Sequence, residues 1–127
     1  MYHCRFRKLN TMKTKNHGLK TLIAIGGWNA ASAEFTAMVS SPSNRRKFVL
    51  SVMAFLRLHG FDGLDLDWEY PAQRGGSPSD KQNLVLLVQV CAEKTTCSII
   101  YIYCVCIFFF KRNILYKNMI LALSTEC

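Results

Sequence analysis

Acidic side chains are scarce in this sequence, in which only eight of 127 residues are Asp or Glu. With so few acids, any clustering among them is informative. Half of them fall within one stretch of eight residues, at Asp62, Asp65, Asp67 and Glu69. Randomly placed surface charge rarely concentrates in this way, so the function of the chain is to be sought in this stretch.

Signals of several other protein classes are also missing. The formal net charge is +8, but no RNA- or DNA-binding motif accompanies the basic residues. We interpret them as a solvated basic face and expect no nucleic-acid partner. The six cysteines fit neither a paired zinc knuckle nor a redox pair, so we expect no metal and no cofactor, with a disulfide framework as an alternative. The basic N-terminus has no apolar segment behind it and does not indicate a signal peptide.

No apolar run is long enough for an ordinary membrane span. Residues 96–110 are apolar and aromatic, but a span needs roughly 18 to 20 such residues. The segment 91–127 is rich in Phe, Ile, Tyr, Lys and Asn, which share AT-rich codons. We hypothesise that this tail is translated intron and expect no membrane partner. A weak membrane anchor and an ordinary buried segment are the alternatives.

The rest of the chain has the pattern of alternating strands and helices. Residues 19–27 form a nearly unbroken apolar run, which predicts a strand buried on both faces. From Ser41, a good N-cap, to Gly60, a natural stop, apolar residues recur at helical spacing. A strand at 63–69 then completes a βαβ unit. Shorter helices are predicted at 9–15, 33–39 and 80–90.

Strict alternation characterises the second predicted strand. Its apolar members are Leu64, Leu66 and Trp68, and its acids are Asp65, Asp67 and Glu69. Since side chains alternate along a strand, the three acids share one face, with about 6 to 7 Å between successive carboxylates. They cannot all ionise cheaply away from water, so at least one keeps a proton at neutral pH, as a general acid must. An acid-decorated edge strand and a hard-cation site are the alternatives.

Two segments carry a family resemblance. Residues 61–71, Phe-Asp-Gly-Leu-Asp-Leu-Asp-Trp-Glu-Tyr-Pro, resemble the signature of family-18 glycoside hydrolases, the chitinases and chitinase-like lectins. Residues 22–29, Leu-Ile-Ala-Ile-Gly-Gly-Trp-Asn, are similar to the motif that ends the preceding barrel strand in that family. The resemblance runs from about residue 9 to residue 90 and is closest to animal enzymes of the arthropod type. It implies an eight-stranded (β/α) barrel with its site at the C-terminal ends of the strands.

The same resemblance implies roles for individual residues. Glu69 would be the general acid that protonates the glycosidic oxygen. Asp67 would orient the N-acetyl group of the substrate, whose carbonyl oxygen attacks the anomeric carbon, and Asp65 would share a proton with Asp67. Trp28 would be a stacking platform, with a core aromatic as the alternative, and Asp62 would have a structural role. The residues expected to line the sugar cleft are Gly26, Gly27, Trp28, Asn29 and Tyr70.

Only part of such a barrel is accounted for. The chain matches the third and fourth strands of the family barrel, about two βα units, whereas a barrel of this class needs roughly 250 residues. We therefore expect an α/β partial barrel at 9–90, an unassigned segment at 1–8 and an unrelated hydrophobic tail at 91–127. The expected function is extracellular hydrolysis of chitin or N-acetylglucosamine oligosaccharides, with this chain inactive alone. A non-catalytic chitin-binding protein and a truncated product without function are the alternatives.

Overall fold

Helices and parallel strands alternate along the chain. The computed structural model describes the backbone of residues 2–94 and 101–104 and the side chains of residues 6–93. The helices are α1 (Tyr2–Asn10), α2 (Ser32–Val39), α3 (Pro42–His59) and α4 (Asp80–Lys94), with a 3₁₀ helix at Thr11–Thr14. The strands are β1 (Leu22–Gly26), β2 (Gly63–Asp67) and β3 (Tyr101–Cys104).

The three strands form one parallel sheet in the order β1-β2-β3. β1 and β2 pair in register, from Leu22 opposite Gly63 to Gly26 opposite Asp67. The chain passes from β1 to β2 through α2 and α3, which confirms the predicted βαβ unit. β3 lies within the segment 91–127, for which the sequence predicts an unrelated tail, and it pairs in parallel with β2. The described sheet therefore contains one strand more than the sequence predicts.

Local capping chemistry defines both ends of α3. The Ser41 hydroxyl oxygen accepts a hydrogen bond from the Asn44 backbone N–H at 3.1 Å. Pro42 occupies the first turn, where its missing N–H would have no helical partner in any case. Gly60 takes a left-handed conformation with a φ of 74°, and its N–H donates to the Leu56 carbonyl. The predicted helix and both of its end signals are confirmed.

The apolar face of β2 and its continuation form the centre of the hydrophobic core. Leu64, Leu66 and Trp68 are buried, each less than a twentieth exposed. They pack with buried residues of the three helices α2, α3 and α4, namely Phe35, Val39, Val49, Leu84, Leu87 and Cys91. The alternation that predicts the strand thus also predicts correctly which of its side chains face the helices.

β1 differs from the strand that the sequence predicts. The apolar run suggests burial on both faces, but Leu22 and Ile25 are 36% and 40% exposed. Among the described residues β1 is an edge strand with β2 as its neighbour. From β1, the partly buried side chain of Ile23 packs against the core. For the part of the chain that the structure describes, the expectation of a strand covered on both faces is therefore wrong.

β2 ends at Asp67, two residues before the end that alternation predicts. The cause lies at the end of β1, where the chain turns at Gly26 and Gly27 with φ values of 108° and 90°. The Gly27 N–H donates to the Asp67 carbonyl at 2.7 Å, and the β1–β2 register stops at that point. Glu69 therefore lies beyond the strand, at the start of the loop that leads to α4.

Asp62 anchors the beginning of β2. Its carboxylate accepts a hydrogen bond from the Thr21 N–H at 2.7 Å and forms ion pairs with Lys13 and Lys20. Burial pushes the pKa of Asp62 upward, but the hydrogen bonds from Lys13 and Thr21 and the two nearby positive charges outweigh it and lower the pKa. These contacts fit the structural role expected for this residue, because they tie the segments before β1 and β2 together.

Candidate active site

Two neighbouring carboxylates project from β2 on the face opposite the core. Asp65 and Asp67 are half-buried, and Oδ1 of each is buried without a hydrogen-bond partner among the described residues. Burial and, second, the negative charge of Asp67 raise the pKa of Asp65. Asp65 therefore keeps its proton to a higher pH than an isolated aspartate would.

Beside Asp67, the last residue of β1 and the residue after it are glycines for steric and conformational reasons. An ideal Cβ on Gly26 would lie 2.2 Å from the Asp67 carbonyl oxygen and 2.9 Å from Phe35 Cζ. At Gly27 there is room, since the nearest atom to such a Cβ is Asp67 Oδ2 at 3.7 Å, but the φ of 90° is one that other residues rarely adopt. The two glycines allow the chain to cross the end of β2 in contact with the Asp67 backbone.

Trp28 and Asn29 form the exposed turn that follows. The Ala30 N–H closes this turn by donating to the Gly27 carbonyl at 2.9 Å. Trp28 is 62% exposed, so the interpretation as a core aromatic is wrong. Asn29 is exposed as well. The structure thus leaves the indole accessible at the carboxyl edge of the sheet.

Glu69 and Tyr70 begin the loop between β2 and α4. Both side chains are half-buried, and the peptide bond between the two residues is cis. The Glu69 carbonyl oxygen accepts a hydrogen bond from Arg74 Nη1 at 2.9 Å. Because β1 and β2 are parallel, this loop lies at the same edge of the sheet as the turn that carries Trp28. The two predicted motifs are therefore brought together at one rim.

A buried serine holds the residues on both sides of Glu69. Ser32, at the start of α2, is fully buried. Its hydroxyl accepts a hydrogen bond from Trp68 Nε1 at 3.1 Å and donates to the Tyr70 carbonyl at 3.4 Å. Trp68 also stacks on Phe35, with ring centroids 5.2 Å apart and an interplanar angle of 15°. Glu69 is thus flanked by two residues that α2 holds in place.

A buried aspartate holds the rest of the same loop. Asp80 is fully buried, and its Oδ2 accepts hydrogen bonds from Thr36 Oγ1 and the Ser77 N–H, both at 2.8 Å. The Ala72 N–H donates to the same oxygen at 3.3 Å. Thr36 lies one helical turn after Ser32. One face of α2 therefore supports both the start and the middle of the loop.

Ser32, Arg74 and Asp80 were not identified from the sequence. Only Asp80 has a local signal, because Ser77 precedes it by three residues in the pattern of a capping box. Ser32 and its partner Trp68 lie on different elements, as do Arg74 and Trp28, so no short window of sequence contains both members of either contact.

Metal-binding clusters and reactive thiols are further kinds of site to look for among the described residues. No group of three His, Cys, Asp or Glu side chains among them is placed to hold a metal ion. Cys91 is a free thiol, and burial raises its pKa to about 12. In the same part of the chain, no helix combines the length and apolarity needed to cross a membrane.

Comparison with protein families and curated proteins agrees with this geometry. Residues 2–103 match the family described as Glycosyl hydrolases family 18. Over 88 residues the chain is 51% identical to Chitotriosidase-1 of Mus musculus, a match that covers 69% of this chain and 19% of that protein. Over 89 residues it is 45% identical to Probable chitinase 2 of Drosophila melanogaster, covering 70% of this chain and 18% of that protein.

Among solved structures, the chain is similar to the Group IV chitinase of Ostrinia furnacalis in complex with allosamidin. The TM-score is 0.74 at 33% sequence identity, and the match covers 78% of this chain and 27% of that chain.

The chain spans about a fifth of the length of the curated relatives. Mouse and insect relatives match at similar identity, so the comparisons do not favour an arthropod type. The family match extends beyond residue 90, where the sequence places the end of the catalytic part.

Proposed function

Since this chain belongs to glycosyl hydrolase family 18, we propose that it carries part of the catalytic barrel of a chitinase. The substrate would be a β-1,4-linked N-acetylglucosamine polymer, and the whole protein would act outside the cell. The observation that carries the proposal is the carboxylate pair Asp65 and Asp67 on the open face of β2, with Glu69 two residues further at the rim. The relatives named as chitinases support the choice of substrate.

Glu69 is the proposed general acid. Its proton passes to the glycosidic oxygen as the bond from that oxygen to the anomeric carbon breaks, so the leaving sugar departs as an alcohol. The new bond to the anomeric carbon comes from the carbonyl oxygen of the substrate's own N-acetyl group, in the substrate-assisted variant of the retaining mechanism. Water then attacks the anomeric carbon as the bond from that carbon to the N-acetyl oxygen breaks, and the water gives its proton to the Glu69 carboxylate. The two displacements together retain the configuration.

Asp67 and Asp65 assist this attack. Asp67 orients the N-acetyl group by accepting a hydrogen bond from its N–H, and Asp65 shares a proton with Asp67. The raised pKa of Asp65, which burial and the Asp67 charge cause, supports this division of roles. A proton held between the two close carboxylates leaves the pair with one negative charge and stabilises it. Asp67 needs this charge to accept the hydrogen bond from the amide N–H.

The sugar cleft is proposed to be lined by the five rim residues that the sequence predicts, Gly26, Gly27, Trp28, Asn29 and Tyr70. The high exposure of Trp28 supports a stacking role for that residue. A barrel of this class closes eight strands, and its cleft draws on the loops of several of them. We therefore propose that these 127 residues hydrolyse chitin negligibly by themselves. The partial catalytic domain at 9–90 and the intron-derived tail at 91–127 stay part of this proposal.

The experiment places residues 9–90 of this chain in a complete barrel. They replace the matching segment of mouse Chitotriosidase-1, and hydrolysis of a fluorogenic chitobiose glycoside is measured. Glu69→Gln is expected to lower kcat by about 10²- to 10⁴-fold, the usual contribution of a general acid. Asp62→Asn is the matched control, because Asp62 belongs to the same acidic motif but binds Thr21 and Lys13 at the other end of β2.

Three results would contradict parts of the proposal. An active chimera in which Glu69→Gln and Asp62→Asn have equal activity removes the acid role of Glu69. A folded chimera that binds chitin beads without turnover favours a non-catalytic chitin-binding protein. Hydrolysis by the 127-residue chain alone, abolished in Glu69→Gln, contradicts the proposed inactivity of the isolated chain.

A further inference from the structure

Arg74 connects the turn after β1 with the loop after β2. Its guanidinium carbon lies 4.4 Å from the centroid of the Trp28 ring. Its Nη1 donates a hydrogen bond to the Glu69 carbonyl oxygen at 2.9 Å. One side chain therefore contacts both the exposed aromatic ring and the backbone of the proposed general acid, although the mechanism above gives it no role.

The backbone around Arg74 is held in place by buried contacts. Arg74 has a φ of 52°, in the left-handed region that residues other than glycine seldom occupy. On either side of it, the N–H groups of Ala72 and Ser77 donate to the buried Asp80 carboxylate. Gly76 packs so closely on that carboxylate that an ideal Cβ would lie 2.4 Å from Asp80 Oδ2. The loop therefore presents Arg74 at a defined position, unlike an arginine on a freely solvated surface.

Trp28 is the group that gains from this support. An indole that is 62% exposed has few packing contacts to restrict its two side-chain torsions. A guanidinium stacked on an indole is attracted by the ring's negative face, and its planar shape suits such stacking better than an ammonium does. A guanidinium in this position covers one of the two faces of the ring.

We propose that Arg74 is a positioning residue that holds the Trp28 indole in one orientation relative to Glu69, so that a sugar ring stacks on the face that the guanidinium leaves uncovered. The inference rests on the proposed function, because it takes Trp28 as a sugar platform. It adds a second link between this platform and the general acid, besides the pairing of β1 with β2.

The first test needs no sugar, because the chain contains only two tryptophans. In the ¹⁵N-labelled 127-residue chain, the two indole N–H groups give separate resonances, and the buried Trp68 serves as the internal reference. Arg74→Met keeps the aliphatic stem and removes the guanidinium. Arg46→Met removes the same charge from an exposed position on α3. We expect the heteronuclear NOE of the Trp28 indole to fall in Arg74→Met only, with Trp68 unchanged in both variants.

The second test titrates the same samples with tetra-N-acetylchitotetraose. Arg74→Met is expected to weaken binding about two- to fivefold, the fold-change that corresponds to one exposed cation–π contact. Arg74→Lys keeps the cation without the planar fork and should recover part of the affinity. Arg46→Met should bind like the wild type.

An unchanged Trp28 NOE in Arg74→Met overturns the inference, whether or not the chain binds the sugar. Tighter sugar binding by Arg74→Met also overturns it, because the guanidinium would then obstruct the face that the sugar uses. A change at Trp68 as large as that at Trp28 overturns it too, since the effect would lie in the fold of the loop. If the Trp28 NOE falls but the wild-type chain binds no sugar, the positioning of Trp28 is supported and its role as a sugar platform in this chain loses support. The proposed function is tested separately in the complete barrel of the chimera.

Discussion

Gly26→Ala should destabilise the chain far more than Gly27→Ala, although the two glycines are adjacent and both have positive φ values. At φ values of 108° and 90°, an alanine at either position is strained by about 1–3 kcal/mol. At Gly26 the new methyl group would also lie 2.2 Å from the Asp67 carbonyl oxygen, a backbone atom of the paired strand that cannot rotate away. Overpacking of this kind costs about a further 1–3 kcal/mol. We therefore expect a loss of about 2–6 kcal/mol for Gly26→Ala and about 1–3 kcal/mol for Gly27→Ala.

Urea unfolding followed by tryptophan fluorescence measures both losses. Trp68 is buried and Trp28 is largely exposed, so the change in emission on unfolding comes mainly from Trp68. The native emission should also change in Gly26→Ala, because the methyl group would lie 2.9 Å from Phe35 Cζ and Phe35 stacks on Trp68. Equal losses of stability for the two variants, within about 0.5 kcal/mol, would refute the steric argument and leave backbone strain as the whole effect.

Three further substitutions have expected outcomes that unfolding measurements can check. Asp65→Asn should raise the free energy of unfolding at pH 7, because the native pKa of Asp65 is raised and wild-type stability is lost as the pH rises from 3.8 through that pKa. Asp62→Asn should lower the free energy of unfolding at pH 7, because the lowered native pKa of Asp62 contributes stability above pH 3.8 that is lost as the pH falls through that native pKa. If the stability of either variant follows the same pH profile as that of the wild type, the prediction for that variant is contradicted. Ser32→Ala removes the hydroxyl that accepts from the buried Trp68 Nε1–H and should lower the free energy of unfolding by about 1–3 kcal/mol. The control Ser51→Ala, on the exposed side of α3, should change it by no more than about 0.5 kcal/mol. Equal effects of the two substitutions would exclude this role of Ser32.

The elements that the sequence predicts well are those that local chemistry decides. α3 has its N-cap, its proline and its C-terminal glycine within its own residues, so its bounds were predictable almost to the residue. The two faces of β2 followed in the same way from the alternation of its residues. The family was predictable because the acidic motif and the Gly-Gly-Trp-Asn segment are both short and continuous.

The features that the sequence does not predict depend on distant neighbours. The end of β2 depends on the turn of the chain at Gly26, and the exposure of β1 depends on which strands and helices lie beside it. The contacts of Ser32 with Trp68, of Arg74 with Trp28 and of Asp80 with Thr36 likewise join residues that are far apart in the chain. The exposure of Trp28 excludes one of its two interpretations, whereas the roles of the carboxylates in catalysis stay predictions.

The two faces of β2 also restrict how this chain can change in length. The even-numbered residues Leu64, Leu66 and Trp68 face the helices, and the odd-numbered Asp65 and Asp67 face away from them. Inserting one residue at the start of β2 with the pairing kept would exchange the two sets and direct carboxylates into the core, at a cost of several kcal/mol for each buried charge. Inserting two residues would keep each set on its own side. Insertions and deletions here should therefore be tolerated in even numbers and rejected in odd ones, whatever the reaction requires of the acids.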